Sequence, residues 1–175
     1  MATSSEAAFA ALYRAQYEDV RRFVSRRAHP SHVDDVVAET FLAAWRRYGE
    51  LPAEPRAWLF GVARNNMLNA HRGAQRQQAV AVRIAAEPAP ASPDRTGQVD
   101  DRLDVAGAWR RLDPRDQEVL ALHVWDGLSG PEAAAVLGCS RASYAMRLTR
   151  SKRRLARALR TSAIPAGLAL TTGQE

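Results

Sequence analysis

The sequence predicts an all-α protein made of two small helical domains joined by a flexible linker, with a helix-turn-helix in the second domain. Apolar residues recur at helical spacing in two blocks, and neither block shows strand-like alternation or a hairpin turn signal. The stretch between the blocks loses that periodicity and holds Pro88, Pro90 and Pro93, which is typical of an extended linker. The predicted boundaries are a first domain over residues 7–72, a linker over 73–99, a second domain over 100–161 and a loose tail over 162–175.

The first two helices are predicted from apolar stripes that would form the core of the first domain. The second helix is expected to open at Pro30 and Ser31, with Asp34 at the capping-box position. The residues expected to face inward are Phe9, Leu12, Tyr13, Tyr17, Val20, Phe23 and Val24 on the first helix, and Val33, Val37, Phe41, Ala44 and Tyr48 on the second.

A separate stripe on the second helix combines charged residues with a single leucine. Its members, spaced by four, three and four residues, are Asp35, Glu39, Leu42 and Arg46. Charged residues around one exposed leucine suggest a face that docks on another protein. The alternative is an ordinary solvated helix surface.

The third helix is predicted to start after Pro52, with Pro55 near its first turn. One side carries the apolar residues Leu59, Val62, Ala63 and Ala70, and another carries Trp58, Gly61, Asn65, Asn69 and Arg72. An aromatic ring, two amides and a cation on one face suit single-stranded nucleic acid, because the ring stacks on a base, the amides bond base edges and the cation binds phosphate. The alternative is that Trp58 belongs to the core and the asparagines are merely tolerated, although asparagine is a poor residue for a helix interior.

The second domain contains the helix-turn-helix. Ser129 and Glu132 form a capping signal around Pro131, a short apolar helix follows, and Gly138 permits a left-handed end. Ser140 is placed to cap the next helix, which carries eight basic residues and no acidic residue over positions 141–160. This arrangement is how proteins present one helix to the DNA major groove, and a solvated basic helix is the alternative.

Composition agrees with a polyanionic partner. The chain has 175 residues, a formal net charge of +6 and a sequence pI near 10.4, and such a balance favours nucleic acids or acidic lipid surfaces. The only cysteine, Cys139, excludes an intramolecular disulfide and is consistent with a reducing cytoplasm. Neither a signal peptide nor an apolar run long enough for a membrane span is recognisable, so we expect a cytoplasmic protein without direct membrane insertion.

An enzyme is the weakest of the function classes considered. The acidic and imidazole side chains near the start of the second helix suggest a metal or acid–base site, and they are His29, His32, Asp34, Asp35 and Glu39. Their spacing matches no zinc, phosphate-loop or paired-cysteine motif. We therefore expect no catalytic residue, no metal, no cofactor and no small-molecule substrate.

Three segments together resemble a bacterial RNA polymerase sigma factor of the extracytoplasmic-function (ECF) group. They are DDVVAETFLAAWRRY at 34–48, PRAWLFGVARNNMLNAHR at 55–72 and LDPRDQEVLALHVWDGLSGPEAAAVLGCSRASYAMRLTRSKRRLARAL at 112–159. The resemblance implies two helical domains, region two and region four, and a subunit without enzyme activity. It also implies binding to core RNA polymerase and to promoter DNA, both as duplex and as melted non-template strand.

The resemblance gives each predicted surface a role. The stripe Asp35, Glu39, Leu42 and Arg46 would bind core polymerase, and the face Trp58, Asn65, Asn69 and Arg72 would bind the minus-ten element with one base flipped out. The residues expected to face the minus-thirty-five duplex are Arg141, Ser143, Arg147, Arg150, Lys152, Arg153 and Arg154. The resemblance also implies an anti-sigma factor as a partner.

Three positions depart from the family pattern. Tyr144 stands where the family usually has a small aliphatic residue, and Ala145 and Met146 replace positions that are often polar. Arg141, Arg147 and Arg150 are therefore the favoured candidates for base or phosphate contacts. The alternative function is a helix-turn-helix regulator that binds duplex operator DNA without replacing sigma, which would leave the first domain without a role.

Overall fold

The computed structural model describes residues 4–81 and 99–162, and the side chains of 5–70 and 105–161. The described part consists of helices and turns without a strand, which confirms the all-α prediction. The helices are α1 (Ser4–Ser25), α2 (Val33–Arg46), α3 (Arg56–Ala81), α4 (Val99–Arg110), α5 (Pro114–Val124), α6 (Gly130–Leu137) and α7 (Arg141–Ser162). Short 3₁₀ helices at Pro30–His32 and Tyr48–Glu50 precede and follow α2. No helix in the described ranges is long and apolar enough to cross a membrane.

Contacts between Cα atoms divide the chain into two compact units. The first contains α1, α2 and α3 together with residues 131–140, and the second contains α4, α5 and α7. The domain boundaries predicted from the sequence place residues 131–140 in the second domain, so the predicted domains and the compact units differ at α6. The buried face of this eight-residue helix consists of small residues, Ala133, Ala134 and Val136, and such faces let helix backbones approach closely.

The core of the first unit is built around two phenylalanines. Phe23 of α1 and Phe60 of α3 stack with ring centroids 4.3 Å apart and an 18° interplanar angle. The guanidinium of Arg27 lies 3.8 Å from the Phe23 ring centroid, and that of Arg56 lies 5.0 Å from the Phe60 centroid. Arg56 also binds Asp19 at 3.0 Å, which links α3 back to α1.

The apolar stripes predicted for α1 and α2 supply most of the remaining core of the first unit, but Tyr13, which was expected to face inward, is 39% exposed. Val20, Phe23 and Val24 on α1 and Val33, Val37, Phe41 and Ala44 on α2 are buried, as are Leu59 and Ala63 on α3. Ala70 is exposed and Val62 is only half-buried, so the predicted apolar side of α3 is wrong at Ala70. Phe60, which was not predicted to face inward, is buried because its ring stacks on Phe23 of α1.

The start of α2 differs from the prediction. Pro30 and Ser31 form a 3₁₀ turn, and α2 begins at Val33 without a side-chain cap from His32. The ring nitrogen Nδ1 of His29 accepts the backbone N–H of Ser31 at 3.4 Å. The expected capping box from Ser31 to Asp34 is therefore replaced by a histidine acceptor that precedes the proline.

The end of α3 also differs. Residues 73–81, which the sequence analysis placed in the linker, continue the helix to Ala81. This segment contains alanine, glutamine and arginine and no proline, so helix propensity extends α3 without an apolar stripe. Residues 82–98 and 163–175, which hold the rest of the predicted linker and most of the predicted tail, lie outside the described residues.

The second unit is held together by polar contacts between helices as well as by its core. Asp113 caps α5 by accepting the backbone N–H of Arg115 at 2.7 Å, and Pro114 occupies the first turn. Gln117 donates from Nε2 to the carbonyl oxygens of Trp109 at 2.8 Å and Leu112 at 3.3 Å. These bonds fix the turn between α4 and α5.

Candidate protein and nucleic-acid interfaces

The predicted docking stripe lies on the solvent side of α2. Asp35, Glu39, Leu42 and Arg46 are all exposed, and Leu42 retains 48% of its accessible surface. The opposite side of α2 packs into the core, where Val36 and Thr40 are buried beside the residues already named. The rotation of α2 is therefore fixed by its core, and the four residues form a continuous outward face.

A partly exposed tryptophan adjoins this stripe, and the sequence analysis did not single it out. Trp45 is 41% exposed, although its ring meets Phe9 edge to face at 4.9 Å. On α1, Tyr13 packs on Phe41 at 4.6 Å and is also partly exposed. The spacing of three residues between Leu42 and Trp45 is the signal by which Trp45 could have been found.

The predicted strand-binding face of α3 is partly described. Asn65 and Asn69 are exposed and Trp58 is half-buried, so the two amides are accessible on the helix surface. The side chain of Arg72 lies outside the described residues. Neighbouring Asn66 has a structural contact, because its Nδ2 donates to Oγ1 of buried Thr40 at 3.5 Å and so links α3 to α2.

The turn between α6 and α7 has the geometry that the sequence predicted at Gly138. Gly138 adopts a φ of +63°, which side chains with a Cβ rarely tolerate. Its N–H bonds the carbonyl of Ala135 at 3.1 Å, and the N–H of Cys139 bonds that of Ala134 at 3.0 Å. These two bonds form a Schellman motif, which ends α6 sharply and starts α7 a few residues later.

Two buried residues determine which side of α7 faces solvent. Tyr144 and Ser151 are almost completely buried, and because they lie seven residues apart, about two helical turns, they share one side of α7. At about 100° per residue, the opposite side is centred on Ala142, Met146 and Arg153. Arg141 and Arg147, although exposed, lie about 120° from this centre and beside the buried side, whereas Arg150 lies about 60° from it.

The remaining predicted residues of α7 fall into two groups. Ser143 is half-buried, whereas Lys152 and Arg153 are exposed. Lys152 Nζ lies 3.2 Å from Nε2 of His123 on α5. Arg154 donates from Nη1 to Oδ2 of Asp116 at 2.6 Å, so this guanidinium is paired within the fold.

Asp116 is the centre of a buried polar cluster between α5 and α7. Its Oδ1 accepts the hydroxyl of Ser151 at 2.7 Å, and Ser151 Oγ also lies 2.9 Å from the carbonyl of Arg147. Burial alone would raise the pKa of Asp116, but the hydrogen bonds from Ser151 and Arg154 and the charge of Arg154 hold the pKa below its usual value. The carboxylate therefore stays ionised and ties α7 to α5.

The described residues contain no group of three or more histidine, cysteine, aspartate or glutamate side chains placed to hold a metal ion. His29 and His32, considered above for such a site, have ring centroids 6.2 Å apart. The His29 ring contacts Ser31, with Nδ1 and Oγ 2.8 Å apart.

Family models match both halves of the chain. The model of Sigma-70 region 2 matches residues 12–77, and the model of Sigma-70, region 4 matches residues 102–155. The first range covers most of α1 to α3 with both candidate faces, and the second covers α4 to α6 and most of α7.

Individual sigma factors are similar to the chain over most of its length. The chain is 36% identical over 135 residues to the RNA polymerase sigma factor CnrH of Cupriavidus metallidurans, which covers 70% of this chain and 71% of CnrH. It is 32% identical over 163 residues to the ECF RNA polymerase sigma factor SigL of Mycobacterium tuberculosis, which covers 85% of this chain and 92% of SigL.

Solved structures show a similar fold. The structure of CnrH in complex with the cytosolic domain of CnrY superposes with a TM-score of 0.59 at 29% identity and covers 88% of each chain. The sigma factor RpoE in complex with the anti-sigma factor NepR from Bartonella quintana gives a TM-score of 0.65 at 24% identity, covering 87% of this chain and 97% of RpoE.

Proposed function

Because this chain belongs to the ECF group of RNA polymerase sigma factors, we propose that three of its helical surfaces divide the work of promoter-specific transcription initiation. The chain acts as a dissociable sigma subunit that brings core RNA polymerase to promoter DNA. The chemistry of RNA synthesis belongs to the polymerase, and we assign no catalytic residue to this chain. We place its action in the cytoplasm, where polymerase and DNA are found.

The first surface is the stripe Asp35, Glu39, Leu42 and Arg46 on α2, which we propose binds core polymerase. Two observations support this assignment: all four side chains are exposed, and the rotation of α2 is fixed because its far side is buried against α1 and α3. An exposed leucine within a ring of charges matches the usual anatomy of a protein interface, in which an apolar centre is surrounded by a polar rim.

The second surface is the face of α3 that carries Trp58, Asn65, Asn69 and Arg72, which we propose binds the melted non-template strand of the minus-ten element. The exposed amides of Asn65 and Asn69 are available for a base edge. Extruding a base costs a few kcal/mol, and such hydrogen bonds help to offset that cost.

The third surface is the exposed side of α7, which we propose lies in the major groove of the minus-thirty-five element. Because Tyr144 is buried, the opposite side of the first half of α7 is exposed, as a recognition helix requires. Exposed basic residues supply attraction to phosphates, and Arg154 contributes less because Asp116 binds it.

A duplex-binding regulator is not favoured. Such a protein would use α7 but would have no need for the region 2 half, which the family model matches over residues 12–77. This match is the observation that carries the proposed function. By likeness to CnrH, whose structure contains the cytosolic domain of CnrY, we also propose an anti-sigma factor as a partner.

One mixing experiment tests the proposal. The purified full chain and bacterial core polymerase are incubated with linear templates that carry candidate promoters, and run-off transcripts are measured. We expect transcripts that depend on both components. Transcripts that appear only after a separate sigma factor is added would refute the proposal and favour the regulator.

A further inference from the structure

In the first half of α7 the centre of the exposed face is apolar, although the helix is strongly basic. Met146 is 56% exposed, and Ala142 and Ala145, which lie four residues and one residue before it, are also exposed. Thr149 continues this strip, and its hydroxyl donates to the carbonyl of Ala145 at 3.0 Å. With that hydrogen committed to the helix backbone, Thr149 presents a methyl group and no hydroxyl donor to an approaching base.

Basic residues surround this strip, which we call the methyl strip and define as Ala142, Ala145, Met146 and Thr149. Positions 141–160 contain eight basic residues and no acidic residue, so the surroundings favour a polyanion over an apolar protein surface. The strip lies in the first half of α7, where recognition helices contact base edges. The only apolar group that a base pair presents in the major groove is the 5-methyl of thymine.

We propose that the methyl strip reads thymine 5-methyl groups in the upstream promoter element, and that Met146 makes the principal contact. The inference rests on the proposed function of α7 as the reader of the minus-thirty-five duplex. A methionine suits this role because its unbranched, polarisable side chain adapts to an irregular apolar surface. The strip would therefore determine specificity by methyl contacts, and the exposed arginines beside it would contact guanines or phosphates.

The test removes single methyl groups from the DNA. Duplexes are first selected from a randomised pool by the holoenzyme formed from the full chain and core polymerase. Each thymine of the upstream element is then replaced singly by deoxyuridine, which pairs identically but lacks the methyl group. Burial of one methyl is worth about a fourfold change in affinity, so we expect about a two- to fivefold loss at one or two positions.

Protein variants identify the residue that reads the methyl. With Met146→Ala, thymine and deoxyuridine duplexes should bind within about a factor of 1.5 of each other, whereas Met146→Leu should retain most of the preference. Val124→Ala serves as the matched control, because it also shortens a strongly exposed apolar side chain but lies on α5, outside every proposed interface. This control should leave the preference for thymine unchanged.

The outcomes separate the inference from the function on which it rests. Failure to select any duplex would refute sequence-specific reading by the chain. The inference would be overturned, and the function left intact, if the selected upstream elements contain no thymine. The same holds if the affinity of the holoenzyme does not change when their thymines are replaced by deoxyuridine. A preference for thymine over deoxyuridine that survives in Met146→Ala would also overturn the inference. So would a Met146→Ala holoenzyme that binds the selected duplexes normally but no longer binds a protein partner.

Discussion

Removing the hydroxyl of Ser151 should destabilise the second unit by far more than its small volume suggests. Ser151 is completely buried and donates to the carboxylate of Asp116 at 2.7 Å. Hydrogen bonds to charged groups are worth about 1.5–3 kcal/mol, and Ser151→Ala leaves one carboxylate oxygen without that donor in a buried place. At about 4–8 °C per kcal/mol for a domain of this size, the midpoint of thermal unfolding should fall by about 6–24 °C.

The measurement is thermal unfolding of the full chain, followed by tryptophan fluorescence. Trp109 and Trp125 pack with ring centroids 4.6 Å apart in the second unit, so their environment reports on its unfolding. Thr161→Ala is the matched control, because it removes an exposed hydroxyl that donates only to the carbonyl of Arg157 at 3.1 Å. Equal midpoints for Ser151→Ala and Thr161→Ala would refute the view that the Asp116 cluster stabilises the fold.

Three further predictions concern the same cluster and the proposed interfaces. Because the pKa of Asp116 is lowered in the folded state, the stabilisation by this carboxylate should be complete above the usual aspartate value of 3.8 and should decrease as the pH falls through the folded value. Urea unfolding between pH 2 and 6 should show that the free energy of unfolding falls more steeply with acid for the wild type than for Asp116→Asn, and parallel curves would contradict this prediction. Asn65→Ala should disfavour open-complex formation by about 1–3 kcal/mol, the worth of a bidentate contact between a side chain and a base, while binding to core polymerase stays unchanged. Permanganate reactivity of melted thymines measures the open complex, and an equal loss of melting and of polymerase binding would show that Asn65 has a structural role. Glu39→Lys combined with Leu42→Asp should weaken binding to core polymerase by about tenfold or more, measured by fluorescence anisotropy, without a change in thermal midpoint; intact affinity would remove the proposed docking stripe.

Helical periodicity predicted most of the inward residues of α1 and α2, although it placed exposed Tyr13 in the core and missed buried Val36 and Thr40. Val37, Phe41 and Ala44 are buried as expected, because a helix packed on one side repeats its core contacts every three or four residues. The same rule missed Phe60, which follows directly after buried Leu59. Its burial depends on stacking with Phe23, and a single helix's pattern does not contain that partner.

Tertiary hydrogen bonds explain the other differences at the candidate sites. Asn65 and Asn69, predicted to share one face of α3, lie on its surface, whereas neighbouring Asn66 bonds Thr40 on α2. Arg154 was grouped with the cations that attract DNA, and the structure pairs it with Asp116. In both cases the deciding partner lies on another helix, more than 20 residues away in sequence.

Local signals were reliable where backbone geometry alone decides the structure. Gly138 adopts the predicted left-handed conformation, and both hydrogen bonds of its motif close within α6 and the turn. The start of α2 was not predicted, because its turn uses the ring nitrogen of His29, an acceptor that is uncommon among helix caps. The length of α3 was underestimated, since residues 73–81 carry propensity but no apolar stripe.

The pairing of Arg154 with Asp116 has a consequence for how strongly ionic strength controls DNA binding. Each phosphate neutralised by the protein releases about 0.9 of a condensed counterion, and this number sets the slope of affinity against salt concentration. A guanidinium already neutralised by a carboxylate of its own chain releases none. The number of cations on α7 therefore overstates the salt dependence of DNA affinity. Asp116→Asn, which leaves Arg154 without its carboxylate partner, should make this salt dependence steeper.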